Sequence, residues 1–309
     1  MSLIQLVKRN GPSGFGYSST ADSVTEHVRL EGKTILVTGI NSGLGHETMR
    51  VLASRGAHVI GAARTQEKAN EAAAAVTGQV TGLACELSDP QSVSACVASI
   101  AAMGITLDAI ICNAGIMALP KLQLVNGYEC QFYTNHIGHF QLVTGLLDRI
   151  AEAGRVVILS SAAHRMAPKA GVDFDNLDGH AGYRAWSAYG QSKFANLLFA
   201  KELARRFDGT GKTANAVHPG VINTNLGRGL GKATQRSMGL FAAIANKSVP
   251  QGAATQVFVA THPSLVAASG KYFADCNIAK ARADADDIAL ASRLWDESEA
   301  IVAKLAIHG

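Results

Sequence analysis

Residues 38–45 read TGINSGLG, and this octet restricts the fold more than any other stretch. A β-branched run, Thr34, Ile35, Leu36 and Val37, precedes it, and an amphipathic segment with Leu44, Met49, Val51 and Leu52 follows. Strand, glycine turn and helix in that order make a phosphate cradle, because a helix N-terminus presents unpaired N–H groups and partial positive charge. Gly39 permits a sharp turn, since glycine takes positive φ at little steric cost. Gly43 removes a Cβ where a pyrophosphate would meet the backbone, and Gly45 lets the helix lie close to the strand. Alone, three glycines after a strand also describe an ordinary αβ turn, and T-G-x-x-x-G-x-G is not the usual G-x-G-x-x-G spacing.

The rest of the chain continues the alternation. Strands are predicted over about 33–38, 58–62, 80–87, 107–112, 155–160, 213–217 and 271–274. Helices are predicted over about 43–55, 66–76, 90–103, 127–151, 187–207, 250–261 and 284–306. Gly56 closes the first helix and Pro90 opens the third. The helix at 127–151 carries Phe132, His136, Phe140, Val143 and Leu147 on one face. The tail helix, with Ile288, Leu294, Trp295, Ile301 and Leu305 at helical spacing, reads as a cover for the core. This predicts an α/β fold: a single-domain, Rossmann-like, doubly wound parallel sheet with helices on both faces. Residues 1–30 read as an arm and 31–309 as the domain, with no linker or repeat. The ligand then belongs at the carboxyl ends of the strands, where Asn113, Ser160, Ser161 and Pro219 fall.

Composition narrows the classes. Hydrophobic residues make up 48% and aromatics only 6%, which suits a parallel sheet covered by helices. The net charge is +4 without a dense run of Lys or Arg, so nucleic acid is not expected as a partner. Five cysteines at 85, 96, 112, 130 and 276 form no CxxC pair, which implies free thiols in a reducing compartment, the cytoplasm. No apolar run reaches the roughly 18 residues of a membrane span, and the N-terminus has no signal-peptide core.

Tyr189 and Lys193 stand four apart on one predicted helix and so share a face. A tyrosine pKa of about 10 makes a poor acid-base at neutral pH, and a nearby ammonium is expected to lower it. Lys193 can also donate to a cofactor ribose, and Ser161 can hold a substrate oxygen. Asn135 could kink its helix or anchor a water leading to Lys193. The implied reaction is hydride transfer at a nicotinamide with Tyr189 moving the proton. His136 and His139 have H-x-x-H spacing, but without a third ligand they read as helix packing, and no metal is expected. His164 and His218 read as structural, and Ser160 as a strand-end hydrogen-bonding residue.

These residues resemble the short-chain dehydrogenase/reductase family. TGINSGLG matches its glycine motif, NAG at 113–115 its sheet motif, and Asn135 of NHIGHF its helix asparagine. Ser161 of LSSAAH, YGQSK at 189–193 and the Pro219-Gly220 pair complete the set in order over about 33–275. SSAAH, YGQSKFANLLFAKELARR, AVHPGVINTNL and RLWDESEAIV resemble the retinol-dehydrogenase-like branch, which includes the dehydrogenase domain of WW-domain oxidoreductases. Animal retinol dehydrogenases commonly carry a membrane anchor; none is read here, so a retinoid is not assigned as substrate.

The resemblance implies a tetrad of Asn135, Ser161, Tyr189 and Lys193. It implies cofactor contacts at Gly39, Asn41, Ser42, Gly43, Leu44, Gly45, Asn113, Ala114, Gly115, Pro219, Gly220, Ile222 and Thr224, besides Tyr189 and Lys193. Glu86-Leu87 stands where the family usually has Asp-Leu against adenine. The loop between Ser161 and Tyr189 is long and reads as one rim of the substrate pocket. After the second strand come Ala62, Ala63 and then Arg64; an acidic residue there would read NAD, whereas arginine suits a 2′-phosphate. NADP(H) is therefore expected in preference to NAD(H), with hydride leaving the B face as in the family. Residues 221–248 are expected to cover the pocket, where Leu226, Leu230, Met238, Leu240 and Phe241 suggest a lipophilic aldehyde or ketone and Asn223, Asn225, Arg228 and Gln235 add polar groups. Alternatives are reduction of a carbon–carbon double bond, as in light-dependent protochlorophyllide reductases, or a non-catalytic NADP(H) sensor. Relatives often form dimers or tetramers through their long helices, so a homo-oligomer is open.

Overall fold

β1 (Thr34–Thr38) lies between β4 (Leu107–Cys112) and β2 (His58–Ala63), and β3 (Val80–Ala84) flanks β2. Beyond β4 come β5 (Ile150–Leu159), β6 (Thr213–His218), β7 (Tyr272–Ala274) and β8 (Asn277–Ile278), giving the sheet order 8-7-6-5-4-1-2-3. The computed structural model that shows this describes residues 9–222 and 246–308. Thr224 and the apolar and polar residues named between 223 and 241 lie outside the described residues.

Strand residues alternate between two cores, as a period of two demands. Ile35, Val37, Val59, Ala109, Ile111 and Val157 face one side, and Leu36, Ile60, Ile110, Cys112, Val156 and Ile158 the other. The first side is covered by α1 (Ala21–Val24), α2 (Gly43–Ser54), α3 (Gln66–Ala74) and α7 (Val249–Thr261). The second is covered by α4 (Pro90–Ala102), the α5 segment (130–144), α6 (Ala185–Arg206) and α8 (Ile288–His308). The two faces make the fold doubly wound, as expected. Trp295 of α8 is buried against Phe140 and Phe199 at ring distances of 4.9 and 5.8 Å, so the tail covers the core.

Several boundaries differ from expectation, each for a local reason. The predicted helix at 127–151 starts later, because Asn126 and Gly127 both take positive φ and close a hairpin between Leu124–Val125 and Tyr128–Glu129. The Glu129 carboxylate then accepts the Phe132 N–H at 2.8 Å and caps the helix. Inside α5 the residues Tyr133–Ile137 form a π-helical turn, with the Gly138 N–H bonded to the Tyr133 carbonyl. β5 begins at Ile150, pairs with Leu107, and shifts register before Ala109 meets Arg155. β3 ends at Ala84, because the Glu86 N–H bonds Ser92 Oγ at 2.9 Å instead of continuing the ladder. The sheet is not wholly parallel: Asp275 and Cys276, at φ 51° and 60°, turn β8 back antiparallel to β7. The tail helix starts at Ile288 after a 3₁₀ turn at Ala283–Asp286.

The arm packs through Ala21, Val24 and Leu30, all buried in the first core, and Asp22 pairs with Arg50 of α2. Among the described residues no helix is long and apolar enough to cross a membrane.

α5 approaches the turn after β3 so closely that a Cβ on Gly138 would lie 2.3 Å from the Leu87 carbonyl oxygen. Backbone cannot yield as a flexible side chain does. Gly138→Ala should therefore cost about 2 kcal/mol or more, read as a lower midpoint in urea denaturation.

Candidate active site

The glycine loop folds as its composition requires. Gly39 and Gly43 have φ of 76° and 56°. A Cβ on Gly45 would lie 2.1 Å from the Gly39 carbonyl oxygen and 2.6 Å from Asn113 Nδ2. At the start of α2 the Ser42 side chain makes no capping bond, and the first turn holds no acidic residue. The first turn is therefore left to an outside anion.

Behind the loop, Thr38 Oγ1 accepts the N–H groups of Asn113 and Ala114, both at 3.0 Å. It also lies 2.9 Å from His139 Nε2, while His139 Nδ1 lies 2.9 Å from the Asn135 carbonyl oxygen. That carbonyl can only accept, so Nδ1 carries the proton, Nε2 is an acceptor, and the Thr38 hydroxyl donates to it. The ring is neutral: complete burial pushes His139 down to about 4. The same residues hold the π-helical turn in place, because the Asn135 carbonyl is bound by a side chain one turn on.

Asn135 is fully buried and directs its amide at the site. Its Oδ1 accepts the Ile116 N–H at 2.8 Å, and its Nδ2 donates to the Ile116 carbonyl and to Ser192 Oγ, both at 2.9 Å. Gly115 leaves an opening beside it, since a Cβ there would meet Asn135 Oδ1 at 2.9 Å and Lys193 Nζ at 3.3 Å. Lys193 Nζ donates to the Leu159 carbonyl at 3.2 Å and lies 5.8 Å from the centre of the Tyr189 ring. The Tyr189 hydroxyl lies close enough to Ser161 for the serine to favour its phenolate. Ser161 also caps the turn Ala162–Met166, accepting the Ala163 N–H at 3.2 Å. That turn can lie on α6 beside Tyr189 because position 190 is glycine: a Cβ would meet Ala167 N at 2.6 Å and the Ala163 oxygen at 2.7 Å. Ser160 Oγ donates to the Lys193 carbonyl at 2.7 Å, a strand-end bond as expected.

Charge behaves differently from the expectation. Burial pushes Tyr189 up to about 12, with the Ser161 hydrogen bond opposing it, and pushes Lys193 down to about 8. Loss of water dominates at both groups, and at Tyr189 it outweighs the opposing interaction with Ser161.

The structure brings Asn135, Ser161, Tyr189 and Lys193 to one end of the sheet with Asn113, Ala114 and Gly115. Asn41, Ser42 and Arg64 are exposed along the same edge. Leu44 and Ile222 converge on Gly252, where a Cβ would lie 2.7 Å from each. Pro219 and Gly220 follow the carboxyl end of β6. Glu86 turns its Oε1 to the N–H and hydroxyl of Ser88, at 3.1 and 2.8 Å, while Leu87 is buried. His136 bonds Ser298 of α8 at 2.9 Å, and His164 lies 2.6 Å from the Ser161 carbonyl. His218 Nδ1 accepts the Ala162 N–H at 3.2 Å. His136 and His164 are fully buried. Sequence reasoning read His139 only as helix packing and gave no role to Thr38, Ser192 or Gln256, which donates to Asn113 Oδ1 at 3.1 Å. The signals present were the threonine opening the glycine motif and a histidine four places after Asn135.

A family model described as short chain dehydrogenase matches residues 33–174 and 176–235. Short-chain dehydrogenase TIC 32 A, chloroplastic, from Brassica napus is 42% identical over 311 residues, covering 96% of each chain. Retinol dehydrogenase 12 from Mus musculus is 40% identical over 287 residues, covering 89% of this chain and 87% of its own. Among solved structures, an uncharacterized protein from Mycobacterium Paratuberculosis superposes with a TM-score of 0.74 at 32% identity, covering 90% and 96%. A short chain dehydrogenase from Burkholderia cenocepacia, solved in complex with NADP, gives 0.64 at 26%, covering 79% and 96%.

Because the folded His139 binds its proton only near pH 4, the unfolded chain binds more protons between about pH 6.5 and 4. Stability should fall across that window as pH drops and level off below it. The share due to His139 is about 3 kcal/mol. Urea denaturation at several pH values should show a smaller acid loss in His139→Gln than in the parent protein.

Proposed function

The chain belongs to the short-chain dehydrogenase family, in its retinol-dehydrogenase-like branch, and from that footing we propose that it interconverts a carbonyl and an alcohol using NADP(H). The observation that carries this reading is the buried Tyr189 beside Ser161, with the Lys193 ammonium 5.8 Å from the tyrosine ring.

The cradle suits a dinucleotide. The uncapped first turn of α2, Gly39 and Gly43 at positive φ, and the opening left by Gly115 are spaces that side chains would otherwise fill. In this reading Asn41, Ser42, Gly43, Leu44 and Gly45 hold the pyrophosphate. Asn113, Ala114, Gly115, Tyr189 and Lys193 hold the nicotinamide ribose, and Pro219, Gly220 and Ile222 border the nicotinamide. Glu86 and Leu87 stand at the adenine, and Arg64 at the 2′-phosphate. The Burkholderia cenocepacia neighbour's NADP supports the choice of cofactor class. When bound, the nicotinamide supplies or accepts the hydride.

The chain's own residues do the rest. Ser161 donates a hydrogen bond to the carbonyl oxygen and fixes it beside Tyr189. Tyr189 is protonated at neutral pH, the state needed to give its hydroxyl proton to that oxygen during reduction. Lys193, below its own pKa of about 8, offsets the phenolate left behind. Asn135 holds Ile116 and Ser192, and so keeps the floor next to Lys193 in register. Trp186 lies edge-on to Tyr189 at 6.1 Å, and Met166 and Val221 are exposed, which supports a lipophilic aldehyde or ketone. We read 31–309 as one catalytic domain with 1–30 as its arm. The five free thiols support a reducing compartment, and we place the protein in the cytoplasm.

Tyr189→Phe should lower kcat about 100- to 10,000-fold while NADPH affinity, read by fluorescence titration, stays near the parent value; parent kcat in this variant contradicts the mechanism. Arg64→Asp should reduce the NADPH-over-NADH ratio of kcat/KM by about 10- to 100-fold, and a parent enzyme that prefers NADH would overturn the cofactor assignment.

A further inference from the structure

Among the described residues the chemistry above leaves one buried cation unused. Lys247 has a side chain with 0% exposure. Its stem crosses the open side of Gly220, where a Cβ would lie 2.7 Å from Lys247 Cδ and 3.2 Å from Cε. Gly220 has φ of 100°, so the backbone too favours glycine there. Past Gly220 the ammonium reaches Asp275, with Nζ 2.7 Å from Oδ1, and sits 5.0 Å from the centre of the Tyr17 ring. Asp275 occupies the left-handed turn between β7 and β8, at the carboxyl edge of the sheet. Tyr17 belongs to the arm and is buried.

Three segments far apart in sequence therefore meet at one charge under the Pro219–Gly220 turn. Removing an ammonium from water costs several kcal/mol, about what an ion-paired carboxylate and an aromatic face can offset. An apolar residue would fill the same space without that cost, so the charge is retained for where it fixes the side chain. The neighbourhood is tied to the cofactor cradle. Lys247 and Asn246 pair in parallel with Ile222 and Val221. Ile222 and Leu44 press on Gly252 from two sides. The arm is fastened to the helices bordering the cradle: Asp22 pairs with Arg50 of α2, and Phe15 packs edge-on against Phe258 of α7 at 5.4 Å. Gln251 Nε2 reaches the Ser18 carbonyl at 3.4 Å.

We propose that Lys247 is a positioning residue for the Pro219–Gly220 turn, locked by Asp275 and by Tyr17 of the arm, and that the arm is thereby part of the wall at the nicotinamide end of the cofactor site. This rests on the NADP(H) reading above. Lys247 touches no reacting atom; it acts through Gly220. Its loss should weaken grip on the nicotinamide half and leave the adenosine half alone.

The test uses the full chain and two probes: NADPH, and 2′,5′-ADP, which has no nicotinamide. Lys247→Ala and Tyr17→Leu should each raise the Kd for NADPH by about tenfold or more, with kcat at saturating NADPH changed less than about threefold. Their Kd for 2′,5′-ADP should stay within about twofold of the parent. Lys247→Met, which keeps a stem on Gly220 and removes only the ammonium, should fall between and serves if the alanine variant does not fold. Unchanged NADPH affinity in these variants overturns the proposal. So does a parallel loss of both ligands with a lower Tm, since that marks a merely structural contact. A parent protein that binds neither probe would instead overturn the NADP(H) reading itself.

Discussion

Thr38 Oγ1 accepts two backbone N–H groups from the end of β4 and donates a hydrogen bond to His139, which in turn holds the Asn135 carbonyl. One hydroxyl thus joins the glycine-loop strand, the NAG segment and the π-helical turn. Thr38, His139 and Asn135 are buried, so a lost link between them would leave an unsatisfied polar group at a cost of about 1–3 kcal/mol. The geometry of the candidate site follows from this chain. It sets Asn113 against Gly45, the Asn135 amide against Ile116 and Ser192, and the opening at Gly115 beside Lys193. A π-helical turn inside an α-helix is unfavourable by itself. Here the Asn135 carbonyl, inside the turn, accepts from the His139 ring at 2.9 Å.

Much of this was legible in the sequence, and the reasons are specific. Strands alternate with helices along the chain, and apolar runs such as Ile35-Leu36-Val37 suit strands buried on both faces, so the doubly wound sheet followed from pattern alone. Tyr189 and Lys193 were readable because an i, i+4 pair needs only one helix. The helix at 127–151 was misjudged because Asn126-Gly127 fits a two-residue hairpin turn that apolar periodicity downstream obscured. The π-helical turn was not legible, since it depends on Thr38, about a hundred residues away in sequence. The antiparallel edge at Asp275–Cys276 has no glycine to announce it. Lys247 was equally silent: only the folded chain brings it to Gly220, Asp275 and Tyr17.

Burial, more than neighbouring charge, sets the protonation of the candidate pair. The expectation that Lys193 would lower Tyr189 neglected that both groups leave water together. With Tyr189 near 12 and Lys193 near 8, the chain at neutral pH holds a phenol ready to give a proton and an ammonium ready to offset the phenolate. Ser161 opposes the upward shift of Tyr189, so the group that would hold the substrate oxygen also tunes the proton donor. The serine lies there because Gly190 lets the Ala162–Met166 turn rest on α6.

The central claim is that this pocket directs hydride to a carbonyl carbon while Tyr189 protonates the oxygen. Its most direct test follows the label from NADPH deuterated at the 4S or 4R position through a panel of lipophilic aldehydes, ketones and enones, with products read by mass spectrometry and NMR. The account predicts deuterium on the carbinol carbon from the 4S cofactor and none from the 4R. Label on a former carbon–carbon double bond, label delivered from the 4R position, or NADPH bound without transfer to any carbonyl would contradict it.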